Sequence, residues 1–331
     1  MMKRAAFILF ACIFCAEVGI TQASRSGAFY AMTEIKIAAE KYPEMNSWSA
    51  TVYARGGERK YQLSKELPYD VPYPAIYLSD DGRSVLVMSF EGLIEFYDER
   101  GHLVRKSPAF PSPTPDYERV ITCSVAGDMA GFAVSESGGM NPRLILTDLE
   151  GREMQDIQLA GTHAGQVHVS STGNHILAGS YSSDDEIRLS TVLFEASGKV
   201  MGEFDLLFRH ADISEDDEVV ALADRNVLLM AGLDPHSPAM RWTTGGAGRV
   251  ITDVKVVGGF AAAVVEEISI EAGEPVYNSP TLVVVDRTGL VAATRTLTGT
   301  SLRPAVLRAV GSTVTVSSEN LFVTLDVSTI H

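Results

Sequence analysis

Tyr97-Asp98-Glu99-Arg100-Gly101, Thr147-Asp148-Leu149-Glu150-Gly151 and Val285-Asp286-Arg287-Thr288-Gly289 are three copies of one pattern: an apolar run ends at an aspartate, and glycine closes the turn three residues later. Weaker copies start at Ala54, Glu195, Asp234 and Asp326. A second turn recurs between apolar runs, at Asp80-Asp81-Gly82, Ala126-Gly127-Asp128, Ser171-Thr172-Gly173, Glu215-Asp216-Asp217, Gly258-Gly259 and Val310-Gly311-Ser312. Between the turns the residues alternate, as in Ser84-Val85-Leu86-Val87-Met88-Ser89-Phe90. Alternation over a few residues, bounded by Gly, Asp and Asn, is the mark of short antiparallel strands.

Each repeat therefore reads as four strands, with a short outer strand such as His102-Leu103-Val104-Arg105 after the Asp-x-x-Gly turn. A spacing of about forty to fifty residues between equivalent turns is the period of radially repeated four-stranded sheets. The segment Ser79-Asp80-Asp81-Gly82-Arg83-Ser84-Val85-Leu86-Val87 resembles the first-turn motif of WD40-like and TolB-like β-propeller blades. Glu91-Gly92 followed by Phe96-Tyr97-Asp98 is similar to their third-strand segment. The resemblance implies an all-β propeller of antiparallel blades and specifies no family. It departs from true WD40 blades, because the Trp-Asp dipeptide is missing. Only Trp48 and Trp242 are present, against the tryptophan in nearly every blade of pyrroloquinoline-quinone propellers, so no quinone cofactor is implied.

Seven third-strand turns favour seven blades, but the first-strand turn occurs six times. Residues 28–40 would have to supply strands of the first blade. Phe29, Met32, Lys36 and Ala39 also suit a helix, which would leave six blades and an appendage. Little chain follows Asp326, so a strand from the mature N-terminus is expected to complete the last repeat.

Lys3 and Arg4 precede an apolar run from Ala5 to Ala16, and Thr21-Gln22-Ala23 places small residues where a signal peptidase reads. The division expected is a secretory signal over residues 1–23 and one propeller domain over 24–331. The destination is then periplasmic or extracellular, with no membrane-spanning segment after cleavage; a lipid anchor at Cys12 is the alternative. Cleavage removes Cys12 and Cys15 and leaves Cys123, so the mature chain can form no internal disulfide. Cys123 alternates with Ile121 and Val125 and reads as core.

The 331 residues are 46% hydrophobic and carry 27 basic against 42 acidic residues, a formal net charge of −15. This balance disfavours nucleic acid and anionic membranes, which require clustered Lys and Arg. Acids stand at the end of the second strand in most repeats: Glu91, Glu136, Asp184, Asp224, Glu266 and Glu319. One acid per loop suits capping of its own turn. Asp184-Asp185-Glu186 and Glu266-Glu267 exceed that need. From Glu266 to Pro280 the chain carries an insertion that includes Tyr277 and Asn278, and insertions in one repeat mark a binding face.

His163 and His210 fall just before inner strands and His168 within one, where imidazoles near the axis would suit a metal. Nothing in the spacing sets their mutual distance. Asp212-x-Ser214-x-Asp216 lacks the glycine and closing acid of a calcium loop. Catalytic signatures such as Gly-x-Ser-x-Gly and His-Glu-x-x-His are missing, and Gly245-Gly246-Ala247-Gly248 precedes a strand rather than a helix. Two readings result. The first is a monomeric scaffold without catalytic residues or cofactor that binds a protein or peptide, basic in charge, through His163, His210, Asp184, Asp185, Glu186, Glu266, Glu267, Tyr277 and Asn278. The second is a hydrolase or lyase with a metal or acid/base site in the funnel.

Overall fold

The computed structural model describes residues 17–24, 28–36, 45–68, 74–89, 93–107, 119–135, 141–182, 188–233, 239–246, 248–318 and 321–330. They form seven antiparallel sheets in two compact units. The first unit, residues 1–111 and 149–152, holds two sheets. The first sheet is β1 Glu17–Ala23, β2 Phe29–Lys36, β3 Met45–Ala54 and β4 Arg59–Pro68. The second is β5 Ala75–Leu78, β6 Val85–Met88, β7 Ile94–Tyr97 and β8 Leu103–Ser107. Residues 29–36 are therefore strand, not helix, and the seven-sheet count holds. Glu17–Ala23, assigned from sequence to the signal segment, pairs with β2 in this sheet.

The second unit, residues 112–148 and 153–331, holds five sheets. The third sheet comprises β9 Arg119–Ala126, β10 Met129–Ser135, β11 Arg143–Asp148 and β12 Glu153–Gln158. The fourth comprises β13 His163–Val169, β14 His175–Ser182, β15 Arg188–Glu195 and β16 Val200–Phe204. The fifth comprises β17 His210–Ile213, β18 Val219–Asp224, β19 Val227–Gly232 and β20 Met240–Thr243. In the sixth, β21 Arg249–Val257, β22 Phe260–Glu271, β23 Glu274–Val285 and β24 Val291–Thr296 are joined by a short β25 Thr300–Ser301 on β23. The seventh has three strands among the described residues: β26 Val306–Val310, β27 Thr313–Ser318 and β28 Leu321–Asp326. The strand expected to complete it is one from the mature N-terminus; the first strand after residue 24 is β2, which lies in the first sheet between β1 and β3.

Middle strands are buried on both faces, which explains why their sequences are apolar throughout rather than strictly alternating. In β18, Val219, Ala221 and Ala223 pack toward the sixth sheet, while Val220 and Leu222 pack toward the fourth. In β22, Ala261, Ala263 and Val265 face the fifth sheet, and Ala262 and Val264 face the seventh. Alanines on these strands let neighbouring sheets approach closely. Cys123 is buried, as its alternation implies, and burial raises its thiol pKa.

The Asp-x-x-Gly turns at Asp98 and Asp286 share one geometry. Asp98 N–H donates to His102 O and Gly101 N–H to Asp98 O, and the same pair recurs at Asp286 with Leu290 and Gly289. The carboxylate closes it: Asp98 Oδ1 accepts from the N–H groups of Arg100 and His102 at 2.9 and 2.8 Å. Asp286 Oδ1 accepts from Thr288 and Leu290 at 2.8 and 3.0 Å. Gly289 sits at φ +89°, and a Cβ there would lie 3.2 Å from Met240 Cγ on β20. The turn thus buttresses the outer strand of the preceding sheet. A Gly289→Ala variant is expected to lose about 1–2 kcal/mol from left-handed backbone strain, measured by urea unfolding.

Hydrogen bonds hold three turn carboxyls below the usual carboxylate range. The main donors are His102 N–H for Asp98, the Thr288 side chain for Asp286 and the Ser328 side chain for Asp326. A folded-state pKa below the unfolded value of about 4 gives stability that is complete above that pH and is lost as pH falls through the folded value. Acid unfolding of the wild type should begin below about pH 4, and the Asp98→Asn, Asp286→Asn double variant should show a shallower loss in that window by circular dichroism.

Candidate binding face

In the second unit the first strand of a sheet has one edge without a strand partner, and side chains of the preceding sheet bond to it at β13, β21 and β26. Ser124 Oγ on β9 accepts from Val169 N–H on β13 at 2.9 Å, and Thr122 Oγ1 donates to Gly165 O at 3.1 Å. Asp212 Oδ2 on β17 accepts from Val256 N–H on β21 at 2.9 Å. Asp253 Oδ2 on β21 accepts from Leu307 N–H on β26 at 3.3 Å. Between β13 and β17, His168 Nε2 lies 3.8 Å from Asp212 Oδ1, and Lys255 Nζ lies 3.7 Å from the same oxygen.

The histidines singled out from sequence sit in separate settings. His163 stacks on Tyr181 with ring centroids 4.7 Å apart, and its Nδ1 is 2.7 Å from Thr162 Oγ1. His210 lies in a charged group with Asp253, Arg209, Asp224 and Lys255. Burial pushes its imidazole below the usual value, and burial likewise raises the Asp253 carboxyl against the pull of Lys255 and His210. Among the described residues no group of three or more His, Cys, Asp or Glu side chains has the geometry to hold a metal ion. Asp216, part of the calcium-like spacing, accepts instead from Ser214 Oγ at 2.5 Å and Glu218 N–H at 3.2 Å.

The acids also divide. Asp224 pairs with Arg209 Nε at 3.0 Å. Glu266 is fully buried, accepts from Thr252 Oγ1 at 2.6 Å, and takes Ala305 N–H at 3.2 Å on both oxygens. It anchors the entry to the seventh sheet and offers no surface to a partner. Glu91, Glu136, Asp184, Asp185, Glu186 and Glu319 lie outside the described residues.

The insertion is a β-hairpin arm. Antiparallel connectivity places the β22–β23 turn, the β27–β28 turn and the links between sheets at the end opposite the two repeated turns. There β22 and β23 stay paired out to Glu271↔Glu274, closed by Ala272 and Gly273, both at positive φ. Glu267 is exposed on the arm; Tyr277 and Asn278 are half-buried and pair with Ser301 and Thr300 of β25. Asn278 Nδ2 donates to Ser269 Oγ at 3.1 Å and to Glu267 O at 3.3 Å, bracing the arm. A cavity of about 210 Å³ opens at its base, walled by Pro280, Leu297 and Leu321 with Thr298, Gly299, Thr300 and Ser318. Sequence reasoning found the insertion but not the cavity, whose walls come from two sheets.

No protein-family model matches the chain, and no curated protein matches it. Solved structures do. BamB from Moraxella catarrhalis is 13% identical over 93% of both chains, with a TM-score of 0.55. The β-propeller domain of Myceliophteria thermophila Cps50 (Swd1) is 12% identical over 90% of this chain and 93% of its own, at 0.53. Saccharomyces cerevisiae Sqt1 is 8% identical over 96% and 84%, at 0.61. The chain has the β-propeller fold, in seven blades. Among the described residues no helix is long and apolar enough to cross a membrane.

The stitch at Asp253 is testable. Asparagine keeps an acceptor for Leu307 N–H and removes a desolvated charge. Because the folded pKa is raised, ionisation costs stability as pH rises through it, so Asp253→Asn should match or exceed wild type at pH 8. Asp253→Ala leaves the N–H without its acceptor and should cost about 1–3 kcal/mol in urea unfolding.

Proposed function

We propose that this protein is an exported β-propeller that binds a protein or peptide partner through the end of its sheets that carries the arm. The arm with a cavity at its base carries the reading: a braced hairpin projecting beside a concave, mixed polar and apolar surface is a recognition element, not a packing element. The fold is compatible with a binding scaffold. On this reading Glu267, Tyr277 and Asn278 belong to the contact surface and His163 and His210 to its borders, and Asp184, Asp185 and Glu186 contribute further negative charge to binding. The first-strand carboxylates hold backbone, so catalysis is not part of the proposal.

Export rests on Lys3, Arg4, the apolar run and Thr21-Gln22-Ala23. Removal of residues 1–23 takes β1 from the first sheet. Edman sequencing of protein recovered from culture or periplasm should start at Ser24; a start at Met1 would sink the export reading. For binding, a photo-crosslinking amino acid at Ile270, 69% exposed on the arm, should give a discrete adduct in the native compartment. The same probe at Met154, on an outer strand, should give none. Equal adducts at both, or none at Ile270, would remove the arm from the binding surface.

A further inference from the structure

The third strands of the other sheets in the second unit are covered by a fourth, and their cores are buried: Leu144, Ile145 and Leu146 in β11, Leu228 to Ala231 in β19, Leu282 to Val285 in β23. The equivalent strand β28 pairs with β27 alone among the described residues, and none of its residues is buried. Leu321 is 48% exposed and Phe322 is 72% exposed. Val323 and Leu325 pack only partly on the core shared with the sixth sheet. Leu321 shares their face by two-residue periodicity and forms a wall of the cavity. An uncovered apolar edge of this kind presents a row of backbone donors and acceptors that pairs readily with another strand.

We infer that β28 is the acceptor edge for an extended segment of a partner protein, which adds as the fourth strand of the seventh sheet and seats one apolar side chain in the cavity beside Leu321. This rests on the binding reading above and names its partner class. A volume of about 210 Å³ is below that of a drug-sized ligand site and suits a single side chain. The charge of the segment follows from the arm. Glu267, Glu271 and Glu274 are exposed there, and none of them has an ion pair among the described residues. Lys or Arg residues flanking the apolar anchor complement them. A second copy of this chain fits poorly, because it would bring the same carboxylates and a net charge of −15 to face their like.

The test uses the mature chain and a fluorescein-labelled synthetic peptide of about twelve residues, alternating valine and threonine, with leucine at the centre and lysine at both ends; strand addition is the recognition mode probed. Saturable anisotropy binding is expected, together with new hydrogen-exchange protection across Leu321–Asp326. Glutamate in place of the lysines should weaken binding at least about tenfold, and proline at alternate positions should abolish it, since proline cannot donate to a ladder. Thr324→Pro should lower affinity by at least about tenfold. Leu321→Lys, at an exposed position that leaves the core intact, should do the same with an unchanged urea midpoint. No binding, undiminished binding of the proline peptide, or protection elsewhere than β28 would overturn the inference. So would a homodimer in sedimentation that either variant dissociates. If the Ile270 photo-adduct persists while the edge variants change nothing, binding through the arm stands and strand addition falls; loss of the adduct as well removes both.

Discussion

The first strand of each sheet is the point on which the second unit depends. It has a neighbour on one side only, so its other edge would expose backbone donors and acceptors beside the next sheet. Buried backbone groups without partners cost about as much as a lost hydrogen bond each. The chain meets this with polar side chains that reach from one first strand to the next: Ser124 to Val169, Asp212 to Val256, Asp253 to Leu307. The apolar faces set how closely the sheets stack, and these contacts set their register along one another. They also explain why polar and titratable residues occur on strands that otherwise read as core.

The same need accounts for residues that look functional in isolation. Asp212, Asp253 and Glu266 have the chemistry of ligands or general bases, yet each holds an N–H group of the following sheet. Asp217 stands where equivalent turns carry Gly82 or Gly173, at φ +55°. Its carboxylate accepts from Thr172 Oγ1 at 2.7 Å and Asn174 Nδ2 at 3.1 Å in the preceding sheet, and these bonds offset the strained backbone. Both turn types therefore serve between sheets as well as within them.

The two repeated turns occupy one end of the sheets, and the connections at the other end close no repeated turn. The β22–β23 arm lies at that other end, and the short seventh sheet leaves an edge and a cavity close to its base. A scaffold stabilised by repetition can carry such an unpaired strand, since each sheet draws its stability mainly from its two neighbours.

The seven-fold repeat, the four-strand unit and the position of the insertion were legible in the sequence. Each is a local property: turn aspartates and glycines satisfy nearby N–H groups and positive φ, and strand alternation reports neighbours a few residues away. Strand rather than helix over residues 29–36 was ambiguous, because Phe29 and Met32 suit either period and only pairing with β1 and β3 selects one. The fate of the acids was hidden for the same reason. Nothing local separates Glu266, buried against Thr252 and Ala305, from its exposed neighbour Glu267; the difference comes from a backbone N–H thirty-nine positions away. Tertiary structure alone decided that β28 would have no fourth strand beside it among the described residues and that Pro280, Leu297 and Leu321 would enclose a cavity, because both depend on which sheets lie side by side.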